Sequence, residues 1–502
     1  MKKLLLILIF VLCAVPAWAD THYVSATGTE LAECNDAGDG TKLIPYCTLS
    51  GALAEASVAD GDTILLQNGE TIAEGATPTV ADTNITIGVA TLAATEAGGD
   101  WKSTGSAVRP IVDASGQATA LLAQPSSGTT KTVTIQNIEF LGDASTNADC
   151  VKTRTTNTGN MVATLINVKA SGNVGGDTFT ASATSTGTCI VSYTDCTAVG
   201  GGVGNDGFKL LDSTAGNLTG TYTNCTASGY TAAATSDGIS LHAGEATVNK
   251  CTFTGNYNGV GIFEGATFTV TDSLIYNNTS VGFRTVSNGT GTATASFTRC
   301  KFYNNGSHQI DMQEVGALSS VTATNCLFYD IPANMYAVKV TPAASTMKLY
   351  NCTISGNDAN SKGVYFADGT ANANTQIKNT VFASCLADSY IEFATVGNSA
   401  SLTTTNCAFD VAIGDVTAAD LTGATHTGNV YSATVGFFDA ANDLYWLTAA
   451  SGCIGTGSNL GASYDDGIAE ASTWPSDVRT TDRDDHVTWD IGAYVAQPFT
   501  LH

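Results

Sequence analysis

Basic residues are scarce in this chain: 20 Lys and Arg stand against 45 Asp and Glu, a formal charge of −25 over 502 residues. A surface of that sign repels nucleic acid and anionic membranes, and both are excluded as partners. Beyond the first twenty residues no apolar run approaches the roughly 20 residues that a membrane span requires, so insertion into a bilayer is not expected. Helical periodicity is missing from the central part of the chain, while Thr, Val, Phe, Gly and Asn abound there. That composition suits short strands joined by tight turns.

The opening segment, MKKLLLILIFVLCAVPAWAD, has two lysines, a short apolar stretch and a small-x-small site at Ala17 and Ala19. It reads as a secretory signal peptide, residues 1–19, which places the mature chain outside the cytoplasm as a secreted or cell-surface protein. Its removal with Lys2 and Lys3 moves the formal charge from −25 to −27. Such a chain favours cations and neutral or cationic partners, and an anionic polysaccharide only through a local basic patch or a bridging metal.

Length alone suggests several domains, but repetition overrides that expectation. NKCTFTGN at residues 249–256 returns as TRCKFYNN at 298–305. Aligned on its cysteine, the motif gives a column of Cys196, Cys225, Cys251, Ser273, Cys300, Cys326, Cys352, Thr380 and Cys407, preceded by Ile138 and Val168. Apolar residues recur three positions before the column, from Ile135 to Ile377, and two positions after it, from Phe140 to Phe409. A step of three followed by a step of two describes a strand, a corner and a second strand. A unit of about 27 residues holding several short strands cannot bury its own apolar face, so copies must stack. The expected fold is all-β, a single parallel β-solenoid.

The column cysteine is read as a small buried residue interchangeable with Ser273 and Thr380, and as a thiol rather than half of a disulfide. Asparagine recurs five positions later, at Asn173, Asn256, Asn278, Asn305 and Asn357, where it suits a turn and can bond its copies above and below.

These repeats resemble the right-handed parallel β-helix proteins of the pectate-lyase-like superfamily, in particular exported bacterial members, over nearly the whole mature chain. Residues 22–71, from HYVSATGTE to GDTILLQNGET, are similar to the entry segment of that group. The resemblance implies an N-terminal capping helix with Leu49, Ala52, Leu53 and Ala56 facing the first coil. VGFFDAANDLYWLTAASGCIGTGSNLG and DVRTTDRDDHVTWDIGAYVAQP resemble the closing region of the choice-of-anchor group. The implied organisation is a signal peptide at 1–19, a cap and first coil at 20–70, β-helix coils at 71–410, and C-terminal coils with a closing region at 411–502. Cys34 and Cys47 flank a Gly/Asp-rich loop of the cap, and a disulfide between them is expected because an exposed loop without a core gains from closure. Cys150 and Cys189 are a further possible pair that nothing in their spacing demands.

Candidate chemistry lies in a second pattern: ADCV, GDTF, NDGF, SDGI and NGVG. It aligns Asp149, Asp177, Asp206 and Asp237, followed by Asn258. Stacked carboxylates repel one another unless protons or cations intervene, which makes this column a candidate calcium site. Lys209, Ser240, Gly261, Arg284 and Asp311 follow as an outward row, with His242 and Gln313 two residues further on; Glu264 and His308 lie near the same edge. With calcium neutralising a uronate, Asp206, Asp237, His242, Lys209 and Arg284 are the candidate residues for β-elimination. Asp206 and Asp237 are alternatively an acid/base pair for glycoside hydrolysis. The competing reading is architectural, since Asp-Gly is turn chemistry and its repetition over four coils exceeds what one active site needs. Neither the Asn-Thr-Asp turn nor the Gly-His-Gly element usual in the related hydrolases is present, and two coils separate Lys209 from Arg284. Asp482, Asp484, Asp485 and Asp490 form an acidic cluster near the C-terminus, read as a solvated loop. Two functional classes remain: a polysaccharide- or cell-surface-glycan-binding, adhesin-like component, and a polysaccharide lyase or glycoside hydrolase.

Overall fold

A computed structural model describes residues 19–494 apart from a number of segments, the longest being 89–108, 413–423 and 469–479. Residues 1–18 of the expected signal peptide, Glu264, Asn173, Asn357, Asp484 and Asp485 lie outside the described residues. Three parallel sheets run the length of the molecule, with 15, 13 and 12 strands among the described residues. Each coil supplies one strand to each sheet in turn, as in Leu218–Thr223, Thr226–Ser228 and Asp237–Leu241. The next coil repeats the order one strand further along, and the result is a parallel β-solenoid.

Register follows the repeat read from the sequence. Leu165 sits between Ile135 and Tyr193, and Phe297 between Val270 and Ala323. Across the corner, Phe302 lies between Ile275 and Phe328. These inward residues form one continuous buried core. Its aromatic members stack on their own kind: Phe179 on Phe208 at 5.1 Å, Tyr193 on Tyr222 at 5.0 Å, Phe382 on Phe409 at 5.0 Å. Burial removes each ring from water, and the offset stack adds roughly 0.5–1.5 kcal/mol per pair.

The corner between the first and second sheets has a cause that the column of cysteines only hinted at. The residue just before the column has positive φ in coil after coil: Asn137, Asn167, Asp195, Asn224, Lys250, Asp272, Arg299, Asn325, Asn351, Asn379 and Asn406, all between 48° and 58°. Asn and Asp tolerate this left-handed conformation best among residues with a Cβ. Their side chains also bond one another along the axis, as in Asn167 Nδ2 to Asn137 Oδ1 at 2.7 Å and Asn379 Nδ2 to Asn351 Oδ1 at 3.0 Å.

Behind that corner the column residue does more than fill space. Cys251 Sγ accepts the Cys225 N–H at 3.2 Å, and Ser273 Oγ accepts the Cys251 N–H at 3.0 Å. Each also donates to the carbonyl two residues back, Cys251 to Asn249 and Ser273 to Thr271. Cys and Ser are interchangeable here because each both accepts and donates, while in the first coils buried Ile138 and Val168 fill the same column with apolar side chains. The column thiols, Cys150 and Cys189 are buried and outside any disulfide, so the possible Cys150–Cys189 pair does not form. Burial pushes the Cys407 and Cys150 thiols up to about 12, which removes their reactivity at neutral pH.

The second corner carries the asparagine ladder. Asn278 Oδ1 accepts the Asn256 N–H at 3.1 Å, and Asn305 Oδ1 accepts the Asn278 N–H at 3.2 Å. Both amides are fully enclosed.

At the N-terminal end a short helix, Leu49–Ala54, starts at Thr48, whose hydroxyl accepts the Gly51 N–H. Leu49 and Ala52 are buried in the core and Leu53 packs against it. Ala56 lies past the helix end and is exposed, because the helix stops at Glu55. Buried Glu74 receives the Leu49 and Ser50 N–H groups at 2.7 and 3.1 Å, which fixes the helix start to the first coil. Cys34 and Cys47 are disulfide-bonded. At the other end, Tyr445 and Tyr494 lie with Tyr329 and Leu327 on the outer side of the second sheet. Gly492 and Ala493 donate to Asn379 O and Thr353 Oγ1.

Asn224 tests the corner directly, since its φ is 54°. Asn224→Ala is expected to lower stability by about 1–2 kcal/mol through the left-handed penalty, whereas Asn224→Gly loses less. Melting temperatures of the two variants decide; equal losses would place the effect in the side-chain bond to Asp195 instead.

Candidate functional site

The aspartates fall in one column, as the register of Val151, Phe179, Phe208 and Ile239 requires. Each begins a strand of the third sheet or stands just before one. Its carboxylate accepts the backbone N–H of the next aspartate: Asp149 from Asp177 at 3.2 Å, Asp177 from Asp206 at 3.0 Å, Asp206 from Asp237 at 2.9 Å. Asn258 closes the run by donating its amide to Asp237 Oδ1 at 2.9 Å. Later coils keep the device with a different residue, for His308 Nδ1 accepts the Tyr336 N–H at 3.1 Å. The column is thus a third corner ladder, and an Asp at each level satisfies an N–H that the turn leaves unpaired.

Cations of the chain balance it. Lys152 pairs with Asp149 at 2.7 Å. Lys209 bridges Asp177 and Asp206 at 3.2 and 3.3 Å. Arg284 binds Asp237 through both Nε and Nη2, at 3.2 and 3.1 Å. It reaches back across an intervening strand because that strand has Gly261, where a Cβ would stand 2.2 Å from Asp237 Oδ2. Lys209 and Arg284 remain three strand steps apart, about 14 Å, and serve different carboxylates.

Asp149, Asp177, Asp206 and Asp237, the residues of the calcium expectation, are held by the chain's own donors and cations. Among the described residues no group of three His, Cys, Asp or Glu side chains converges as metal ligands would, and Lys and Arg already face these carboxylates. The C-terminal acidic cluster departs from the solvated loop expected of it at Asp490, which is buried and accepts the Gly455 N–H at 2.8 Å.

Burial is the dominant influence on the acids. It raises Asp206 to about 8, with Asp237 and Asp177 adding repulsion that Lys209 only partly offsets. It likewise raises Asp177 and Asp237, the latter against the pull of Arg284. Burial alone would lower the Lys209 ammonium, but Asp177 and Asp206 outweigh it and raise that group. A proton on Asp206 at neutral pH therefore removes one charge from a crowded row.

His242 is drawn to about 4 by burial first and by the positive charges of Lys209 and Arg284 second, so it is neutral. Its ring lies flat on Phe263, with centroids 3.8 Å apart and planes 13° off parallel. Leu211 precedes this pair on the outward side of the sheet and is 42% exposed, and Val286 follows it. Sequence reasoning found His242 but missed Phe263, although the period-2 register that places His242 outward places Phe263 beside it. Further along the same face, Asp311 accepts from Gln313 at 2.8 Å and stands 3.8 Å from Lys339.

Residues 290–429 match the model of a family described as the right handed beta helix region. The solenoid is a right-handed parallel β-helix. Solved structures similar to this one include the A-module of a mannuronan C-5 epimerase from Azotobacter vinelandii, at 13% identity over 74% of this chain and 98% of that one, TM-score 0.49. A pectate lyase is similar at 13% identity over 96% and 97%, TM-score 0.36, and a rhamnogalacturonan lyase at 13% over 84% and 91%, TM-score 0.38. No curated protein sequence matches the chain.

The raised Asp206 group carries a pH signature. A folded value near 8 against an ordinary 3.8 contributes stability that is fully present below 3.8 and is lost as pH climbs to about 8. Asp206→Asn keeps the oxygen that accepts the Asp237 N–H and removes the titration. Melting temperature measured from pH 5 to 9 should fall less steeply in this variant than in the parent; identical slopes would refute a shared proton in the row.

Proposed function

We propose that this chain is an exported protein that binds a polysaccharide or cell-surface glycan on the outward face of the third sheet and does not transform it. The observation that carries the reading is the His242–Phe263 ring pair, neutral and flat beside exposed Leu211. Flat rings pack against the C–H face of a pyranose, and partly exposed Lys209 with exposed Gln313 offers hydroxyl partners around them. The candidate catalytic groups are otherwise engaged: Asp206 holds the Asp237 N–H and Lys209, Asp237 holds the Asn258 side-chain amide and Arg284, and a histidine near 4 is a poor base at neutral pH. The Cys34–Cys47 bond supports an oxidising compartment, in keeping with the leader at 1–19.

One observation favours a second reading, a glycoside hydrolase or lyase. Asp206 retains its proton to about pH 8, as a general acid must.

A glycan array followed by titration with the best ligand separates the two. Binding is expected without new reducing ends or unsaturated sugar, and Phe263→Ala should weaken it by about tenfold, ~1.4 kcal/mol. Product that disappears in Asp206→Asn would establish the enzyme instead, and retention of no glycan at all would remove both readings.

A further inference from the structure

The outward side of the 15-stranded first sheet takes no part in the site described above, and its composition is unusual. At one position of every rung from Thr21 to Thr322 the residue is Thr or Ser, in unbroken register. Flanking ranks carry the same chemistry. Leu218–Thr223 shows Thr219, Thr221 and Thr223 outward, and Thr267–Thr271 shows Thr267, Thr269 and Thr271. Ala293–Thr298 and Ser319–Thr324 continue the pattern with Thr or Ser at all three positions. The three ranks from Thr132 to Thr324 contain a single charged side chain, Glu245, in a chain of net charge −25.

Threonine on an exposed strand is favoured by propensity alone, but propensity does not exclude charge. Solvated faces ordinarily mix Lys and Glu among their threonines, and doing so keeps long sheets soluble. Here charge is nearly withheld from the rungs between Thr132 and Thr324, while Lys348 and Lys378 follow on the next two rungs of the same face. The repeats are roughly 4.8 Å between rungs and about 6.6 Å between alternate residues of a strand. Each threonine has a hydroxyl and a methyl on a side chain whose χ1 is stiff, Ser192 and Ser296 supply a hydroxyl alone, and Val162, Ile166 and Ile190 in the flanking ranks supply apolar groups. Few rings stand in these ranks, so stacking on flat sugar rings, as in binding to a crystalline glycan, has little to engage. A neutral, rigid, doubly periodic array of hydroxyls and methyls fits a neutral, doubly periodic partner whose own oxygens repeat at distances of the same order.

We propose that this face binds ice. Water held by the threonine hydroxyls and ordered around their methyls takes the spacing of the protein lattice, and that layer joins the oxygen lattice of a crystal face. The area is sufficient, since the three ranks from Thr132 to Thr324 extend about 34 Å along the axis and about 13 Å across it, an array of several hundred Å².

Partition of the purified chain into a slowly growing ice hemisphere, with crystal shape and freezing hysteresis recorded in parallel, tests the assignment. Enrichment in the ice and faceted crystals are expected. Thr221→Lys/Thr269→Lys should be excluded from the ice at an unchanged melting temperature, and Thr247→Tyr, which keeps a strand-favouring residue, should be excluded as well. Thr226→Lys/Thr252→Lys adds the same charge to the second sheet and should partition like the parent, as should Phe263→Ala, which separates this face from the glycan reading. Exclusion of the parent chain, or equal enrichment of the first-sheet variants, would overturn the proposal. So would adsorption to crystalline cellulose or chitin, lost in those variants, without any effect on ice.

Discussion

The fold depends on a single recurring interaction, in which a side-chain atom at a corner accepts the backbone N–H of its own counterpart one coil away. Strand hydrogen bonds run along the axis in any parallel sheet, but corners leave N–H groups that a ladder does not pair, and a buried unpaired N–H costs about 1–3 kcal/mol. Each corner of this solenoid solves the problem with a different residue. The first uses Cys, Ser or Thr, the second Asn, the third Asp and later His. Because the acceptor of one coil serves the donor of a neighbour, the repeat must stay in register, and the inward stacks of Phe, Tyr, Val and Ile follow from that.

This constraint also decides how the aspartate row is understood. Four carboxylates stacked on successive coils look like a metal site or an acid/base pair when only their types and spacing are known. Their oxygens are committed to N–H groups, and Lys152, Lys209 and Arg284 supply the positive charge. Gly261 is part of the same arrangement, since its missing side chain opens the path by which Arg284 reaches Asp237. What is left for a ligand is the next outward row, where His242 and Phe263 stand flat together.

Most of the architecture was legible in the residues. The apolar steps of three and two placed Ile135, Leu165, Phe140 and Ala170 in the columns they occupy, because side-chain direction on a strand alternates strictly. The Cys34–Cys47 bond was legible from loop context. The corner itself was only half legible: Asn or Asp before the column residue was visible at Asn224, Asp272 and Asn351, yet Lys250 and Arg299 break the pattern and the left-handed φ is a backbone property. The helix was expected to present Ala56, but its C-terminus precedes that residue. At the site, Asp206, Asp237, Lys209 and Arg284 were found as members, while their pairing was not, since a salt bridge across an intervening strand depends on the gap at Gly261. Phe263 escaped notice because attention to titratable groups passes over an outward phenylalanine.

The ladder is tested most directly at Cys251, whose Sγ accepts the Cys225 N–H at 3.2 Å. Thermal unfolding of Cys251→Ser and Cys251→Ala, compared with the parent, isolates the accepting atom from the volume it fills. The account requires Cys251→Ser to melt close to the parent and Cys251→Ala to melt well below it. Equal melting of the two variants would mean that the column is held by packing alone, and the corner hydrogen bonds would lose their place at the centre of the fold.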